Sequence, residues 1–541
     1  MAEATQPRGP AAARYNALIA DREPYLTRAR EAAALTLPDL FPDNSGEHNR
    51  GQTGSSRLKT PWNSVGSRGV NNLSSKLLLA LFPPNQSFFK MSLDESVLRE
   101  QAEEQGVNAE DFKVSLDQAF SQIEQTTNDF MESASFRVTA HEALRLLVVS
   151  GNALLFIDSN GKPKVFRLDR YVVKRDLMGN VLEIVVKETT AINALPEEIR
   201  EVVKERTKQD RGVGELDDRA QVDIYTHVKL KPGKTKDSSR WQTYQEVAGE
   251  KVPDSEGTHR LDRSPWIPLR FIRVDGEDYG RGYVEEYMGD LRSLNSLTKA
   301  IVQSAHGAAK QLWWVRPGAI LRPRDLQKES GSVVVGEEGD AGVYRADKMN
   351  DQRSAQEVAA QIEQRLSMAF LLANPRDAER VTAEEIRMLA SMLEDALGGI
   401  YSVLSHEFQR PLVNRYISVL SQNQQLPQLP SEFVKIKIAT GIDALGRNHE
   451  LQKLQQALGH IQQTLGPEVA ARYLGNSDYI KKVFASLGVS DEVIKSEQQV
   501  RQELQASRQQ ALAEKAAPQA VNQAGKLTQQ AVDQQTTEQQ Q

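Results

Sequence analysis

Two arginines, Arg376 and Arg380, stand in the stretch "ANPRDAERVTAEEIRMLASMLEDALGG" (373–399), and they set the chemical question of this chain. Arginines on a short loop either hold an anion or pair with nearby carboxylates. Asp377 and Glu379 lie beside them, and a carboxylate on a neighbouring subunit would serve equally well. The loop is marked at both ends. Asn374 precedes Pro375, and a residue before proline avoids the α region, so a helix should stop there. Thr382 and Glu385 form a capping box that should start the next one.

Other chemistry is hard to assemble. No G-x-x-x-x-G-K-[ST] phosphate loop occurs, which argues against a nucleotide-driven motor. "HEALR" (141–145) and "HEFQR" (406–410) lack the second histidine of a zinc-protease helix, and the eight histidines are scattered without metal-ligand spacing. The glycines of "GRGYVEE" (280–286) open no dinucleotide-type turn. Glu384–Glu385 and Glu394–Asp395 read as solvated helix faces or caps. There are no cysteines, so disulfides, thiolate metal sites and cysteine nucleophiles are excluded. The expectation is no catalytic residue, no metal and no cofactor.

Lys plus Arg is 67 and Asp plus Glu is 73, a net charge of −6. A generic nucleic-acid binder is usually basic, so any contact with DNA should be local and weak. The most apolar run, Leu77–Phe82, is too short to span a bilayer. The first residues have no apolar signal core. The expectation is a soluble, cytosolic chain with no membrane partner.

The elements that would carry the arginines follow from periodicity. Residues 15–36 should be helical, with Tyr15, Leu18, Tyr25 and Leu35 as core contacts. Val65, Val70, Leu73, Leu77, Leu78 and Leu81 recur at helical spacing up to Pro83-Pro84. Two more helices are expected over 109–150. Residues 153–274 are β-branched and aromatic runs between turns, an antiparallel sheet region with a hairpin at "MGN" (178–180) and a helix near 195–208. From Tyr283 to Leu312 the three-and-four spacing returns, and again over 352–372. Between these helices, 313–351 reads as a small unit of short strands, including "GSVVVGEEGDAGVYRA". A helix over 382–420, a strand at 433–441 and helices over 446–508 complete the chain. The Gln-rich end is expected to be disordered. The hairpin tip can bury little of its own apolar surface and should be steadier against copies of itself. "SAHGAA" (304–309), with Ala305, Gly307 and Ala308, would allow close helix approach, either within one subunit or between neighbours.

Four blocks, "TPWNSVGSRGVNNLSSKLLLALFP" (60–83), "LVVSGNALLF" (147–156), "VDGEDYGRGYVEEYMGDLRSLNSLTKAIV" (274–302) and "ERVTAEEIRMLASMLEDALGGIYSVLSHEFQRPLV" (379–413), together resemble the portal, or head-to-tail connector, proteins of short-tailed podophages. The resemblance implies an α+β, mainly helical portal fold with wing, stem, clip and crown, assembled as a dodecameric ring at one capsid vertex. Double-stranded DNA would be packaged and ejected through it without sequence preference. Implied partners are terminase, major capsid and scaffolding proteins, and tail adaptor and internal core proteins. Location would be the virion, after assembly in the host cytoplasm. Mapped on this chain, 1–14 would be a disordered N-terminus and 15–282 the first part of the wing. The stem helices would be 283–312 and 352–372, the clip 313–351 and the channel loop 373–381. Then come the rest of the wing (382–445), the crown (446–510) and a disordered tail (511–541). Asn374, Arg376 and Arg380 would face the DNA, and Ala305, Gly307 and Ala308 would pack between subunits. A few arginines around a ring would centre a duplex without gripping it, since each held phosphate adds affinity through counterion release. The alternative is a cytosolic scaffolding oligomer with no DNA channel.

Overall fold

The computed structural model describes residues 9–42, 60–84, 87–93, 109–211, 219–233, 238–309, 312–322, 333–344, 349–372, 397–424 and 434–438, with a few isolated positions between them. The chain opens with helix α1 (Pro10–Leu35). Its N-terminus is satisfied from far away: the buried Glu246 carboxylate accepts from Ala11 N at 3.1 Å and Ala12 N at 3.2 Å. Residues 10–14 are therefore helical, and Ala11 and Ala12 are buried, which corrects the expectation of a disordered segment up to residue 14. A carboxylate at the positive end of the helix explains why it starts early.

Helix α2 (Val65–Leu81) follows, and five of the six apolar positions named from its sequence are buried, Leu78 packing at the core's edge. Strand β1 (Phe89–Leu93) pairs antiparallel with the last strand of the chain. Helices α3 (Ala109–Ser133) and α4 (Phe136–Ser150) come next. Gly151 ends α4 in the left-handed region at φ 72°, and a Cβ there would lie 2.2 Å from the Arg281 carbonyl carbon, so only glycine fits.

The strand region forms two sheets. One has the order β10-β2-β3, from β2 (Asn152–Ile157), β3 (Pro163–Phe166) and β10 (Trp266–Arg270). The other has the order β4-β5-β6-β7-β8, with β9 also pairing β7. These are β4 (Tyr171–Arg175), β5 (Val181–Ala191), β6 (Gln221–Lys231), β7 (Arg240–Val247), β8 (Glu250–Lys251) and β9 (Gly257–Arg260). All these pairings are antiparallel. The β4–β5 turn falls at the expected "MGN", with Gly179 at φ 84°. Helix α5 (Glu197–Arg211) covers a small separate core of Ile192, Leu195, Ile199, Val203 and Val247.

After the short helix α6 (Tyr283–Glu286), α7 (Met288–Ala309) and α8 (Met349–Ala369) pack side by side. Asp290 near the start of α7 pairs with Arg365 near the end of α8 at 2.9 Å, so they run antiparallel. Between them lie β11 (Leu312–Val315) and β12 (Ala341–Tyr344). The helix expected over 382–420 is described only from its second half. It runs as α9 (Gly399–Leu404), a π turn (Ser405–Gln409) and α10 (Arg410–Gln422). The π turn carries Glu407, which pairs with the buried Arg270 of β10. The late strand is β13 (Val434–Ile438). One large apolar core joins α1, α2, α4, β2, β10, the base of the α7–α8 hairpin and α9–α10.

Candidate oligomer interface

An apolar stripe runs along the α7–α8 hairpin, and among the described residues it is buried at the base. There Phe370, just past α8, is fully buried and stacks edge-on to Tyr283 at 5.7 Å and 87°, with Tyr287 also at 5.7 Å. Tyr283 donates its hydroxyl to Ala369 O at 3.0 Å, and burial pushes that phenol well above its ordinary value. Gly69 of α2 meets this cluster; a Cβ there would be 2.6 Å from the Phe370 ring. Leu291 and Leu294 on α7 and Ile362 and Leu366 on α8 are buried in the same core.

Moving toward the tip, burial fades while the apolar spacing continues. Leu297 and Ile301 are half-buried, and Ala305 is exposed. Gly307 and Ala308 continue the same helix, and their side chains lie outside the described residues. On α8, Val358 is exposed. An apolar stripe normally marks the face of a helix that is covered. Here part of it is uncovered among the described residues.

At the tip, β11 and β12 form a sheet of two strands. The buried Asp340 ties its turns together. Its carboxylate accepts from Ile320 N at 3.2 Å, Glu337 N at 3.1 Å and Arg316 at 3.2 Å, and the bonds from Glu337 N and its neighbours hold its carboxyl below the usual range. Beside this knot Val333 is 92% exposed and Val335 77% exposed, with Trp314 and Ile320 also exposed. The valine run, expected as strand, lies in no strand here. A strand needs a partner for its N–H and C=O groups, and an isolated two-stranded unit is marginal by itself. Asn374, Arg376 and Arg380, with Thr382 and Glu385, lie outside the described residues.

Buried charges elsewhere are satisfied by pairs or by backbone groups, as where Arg415 donates to Ile157 O. Glu183 accepts from Arg14 at 2.7 Å and bonds His227 at 2.6 Å, whose other ring nitrogen meets Tyr244 at 2.9 Å. Among the described residues no group of three or more histidine or acidic side chains could hold a metal ion. No helix of the described residues is long and apolar enough to cross a membrane. Sequence reading named Ala305 but missed the valines as a surface. Three β-branched residues in a row without alternating polar positions were the available signal.

The profile of the family described as bacteriophage head to tail connecting protein matches residues 8–494. The portal protein of Escherichia phage T7 is 43% identical over 452 residues, covering 82% of this chain and 80% of the relative. That of Enterobacteria phage T3 is 43% identical over 455 residues, covering 83% and 81%. Among solved structures, the neck of an empty gene transfer agent particle computed with C6 symmetry matches at 13% identity, over 79% of this chain and 90% of that one, with a TM-score of 0.35. A likeness that loose bears no weight.

Proposed function

The chain belongs to the bacteriophage head-to-tail connecting proteins, the portals of the capsid vertex, and on that premise we propose that copies of it close into a dodecameric ring whose axial channel passes double-stranded DNA. The observation that carries the ring is the hairpin: an apolar stripe continuous with the core runs out to a tip where Val333, Val335 and Trp314 are open to solvent. Exposed apolar surface of this kind marks an interaction site. In this reading α7 and α8 are stem, the β11–β12 unit is clip, and the sheets with α1–α5, α9 and α10 are wing. Residues 446–510 would be crown. Arg376 and Arg380 would touch phosphates only transiently, and Asn374 would open the channel loop. Such contacts position a duplex without reading its sequence.

The ring would dock terminase during packaging and tail adaptor proteins afterwards, within a shell of major capsid and scaffolding proteins and around internal core proteins. Assembly would take place in the host cytoplasm. The role is structural, with no bond made or broken. Electron micrographs of the purified protein test it. Closed rings with a central hole are expected from the wild type, and single chains from V333E combined with V335E. Filaments or single chains from the wild type would favour a scaffolding oligomer without a channel.

A further inference from the structure

We propose that Asn72 and Lys76 of α2 are positioning residues that clamp the end of α8 and so fix where the chain leaves the hairpin; the consequence for DNA rests on the portal reading above. The last carbonyls of a helix have no partner within it. Here α2 supplies them. Asn72 Nδ2 donates to Phe370 O at 3.0 Å and to Leu371 O at 2.9 Å, and Lys76 Nζ donates to Leu371 O at 2.6 Å. The two donors are four residues apart, on one face of α2. A cation at a helix C-terminus is also favoured by the helix dipole.

The conformation being held is an unusual one. Leu371 sits at φ 54°, in the left-handed region where a helix end normally carries glycine. Leu371 N bonds Met368 O at 3.1 Å and Leu372 N bonds Ser367 O at 2.7 Å, the two crossed bonds of a Schellman ending. A leucine in this position is strained and persists only where its surroundings over-determine it. The surroundings are the α2 donors, the Phe370 ring seated on Gly69 and the Tyr283 hydroxyl on Ala369 O. Helix α2 belongs to the large core, so the clamp transfers the position of that core to the end of α8. In a ring every subunit would release its chain at the same height and angle. Partial burial also pulls the Lys76 ammonium below its ordinary value.

Hydrogen exchange on the full-length protein tests the clamp, read on the peptide ending α8, with β5 and β6 peptides as reference. Asn72→Leu with Lys76→Met is expected to speed exchange at the Phe370–Leu372 amides by about five- to ten-fold while the reference peptides stay unchanged. Lys76→Arg, which keeps a cation within reach, is expected to keep slow exchange. Should the double variant fail to fold, Lys76→Met alone retains both Asn72 bonds and should show a smaller speeding confined to the same peptide. Unchanged exchange in both variants overturns the clamp. An equal rise in all peptides also overturns it, because it shows a general loss of stability. The same variants are then scored for filled heads. Local loosening with loss of retained DNA supports the positioning role; local loosening with full genomes retained overturns it. If the wild type forms no rings, the portal reading fails alone, and exchange still decides the clamp.

Discussion

The base and the tip of the α7–α8 hairpin follow opposite rules although one helix pair joins them. At the base the large apolar side chains Phe370, Leu366 and Leu291 are fully buried while Met368 is exposed, and a carbonyl is met by the Tyr283 hydroxyl. At the tip the apolar residues are of the same chemical kind but lie in solvent, held in place by one buried carboxylate, Asp340. The first arrangement is that of a domain core, and the second is exposed apolar surface of the kind that marks an interaction site. The difference teaches that stability and assembly are separable here. Substitutions at the base should unfold the chain, and substitutions at the tip should leave it folded and alone.

The sharpest way to break that comparison lies next to the base. Arg270 is 2% exposed and pairs with Glu407 on the π turn, and burial, then the Arg270 charge, pulls the neighbouring Arg175 guanidinium down to about 10. Glu407→Ala leaves an uncompensated buried charge and should cost about 3–5 kcal/mol in urea unfolding. A midpoint close to wild type would show that the pair is not structural.

Toward the tip the effect should move from folding to assembly. Ala305→Leu with Ala308→Leu should leave the melting temperature of the isolated chain unchanged, because Ala305 is exposed in it. Ring formation should weaken by about 1–3 kcal/mol, the usual cost of overpacking a close contact. Normal rings from this variant would remove these positions from any tight interface.

A third effect belongs to the large sheet and depends on acid. Burial raises the Glu183 carboxyl, but the hydrogen bonds from His227 and Arg14 outweigh it and hold the group below its ordinary 4.5. A depressed carboxylate adds stability that is fully present above its unfolded value and is lost as pH falls through the folded one. Urea midpoints should therefore fall below about pH 4.5, and Glu183→Gln should flatten that part of the profile. An unchanged slope would mean that other carboxylates govern acid unfolding.

The smallest effect on folding is expected from Arg376→Ala with Arg380→Ala, within about 0.5 kcal/mol by thermal melting. Rings should form, and the defect should appear as shorter packaged genomes or leakage from filled heads. Replacement of both by Glu should be worse, since a ring of negative charge repels the duplex. Equal retention by the Ala and Glu variants would turn both arginines away from the DNA.

Local patterns were legible in the sequence and distant pairings were not. Leu73 and Leu77 announced α2 because helical spacing is written over a few turns. "MGN" announced the β4–β5 turn because glycine there has one clear use. The early start of α1 was hidden, since its cap is Glu246, 235 residues away from Ala11. The pairing of Phe89–Leu93 with Val434–Ile438 was hidden for the same reason. The valine run misled in another way. Its composition asks for a strand, and among the described residues it pairs with no other strand. Ala305 was named as a small residue on a helical stripe, and the structure places it exposed on α7. Asn72 and Lys76 were not singled out, because a polar residue on a helix looks like an ordinary solvated one until its acceptor is known.

The distance between Ala11 and Glu246 also has a cost in time. Ribosomes add about 5–20 residues each second, so the start of α1 is made roughly 10–50 s before the carboxylate that caps it. For the larger part of that interval Tyr15 and Leu18, buried in the finished protein, also lack Val172 of β4 and Val185 of β5 to rest on. The first helix to be synthesised is thus among the last elements of its half to be secured, and slower translation through β7 lengthens the period in which the nascent chain is open to the wrong partner.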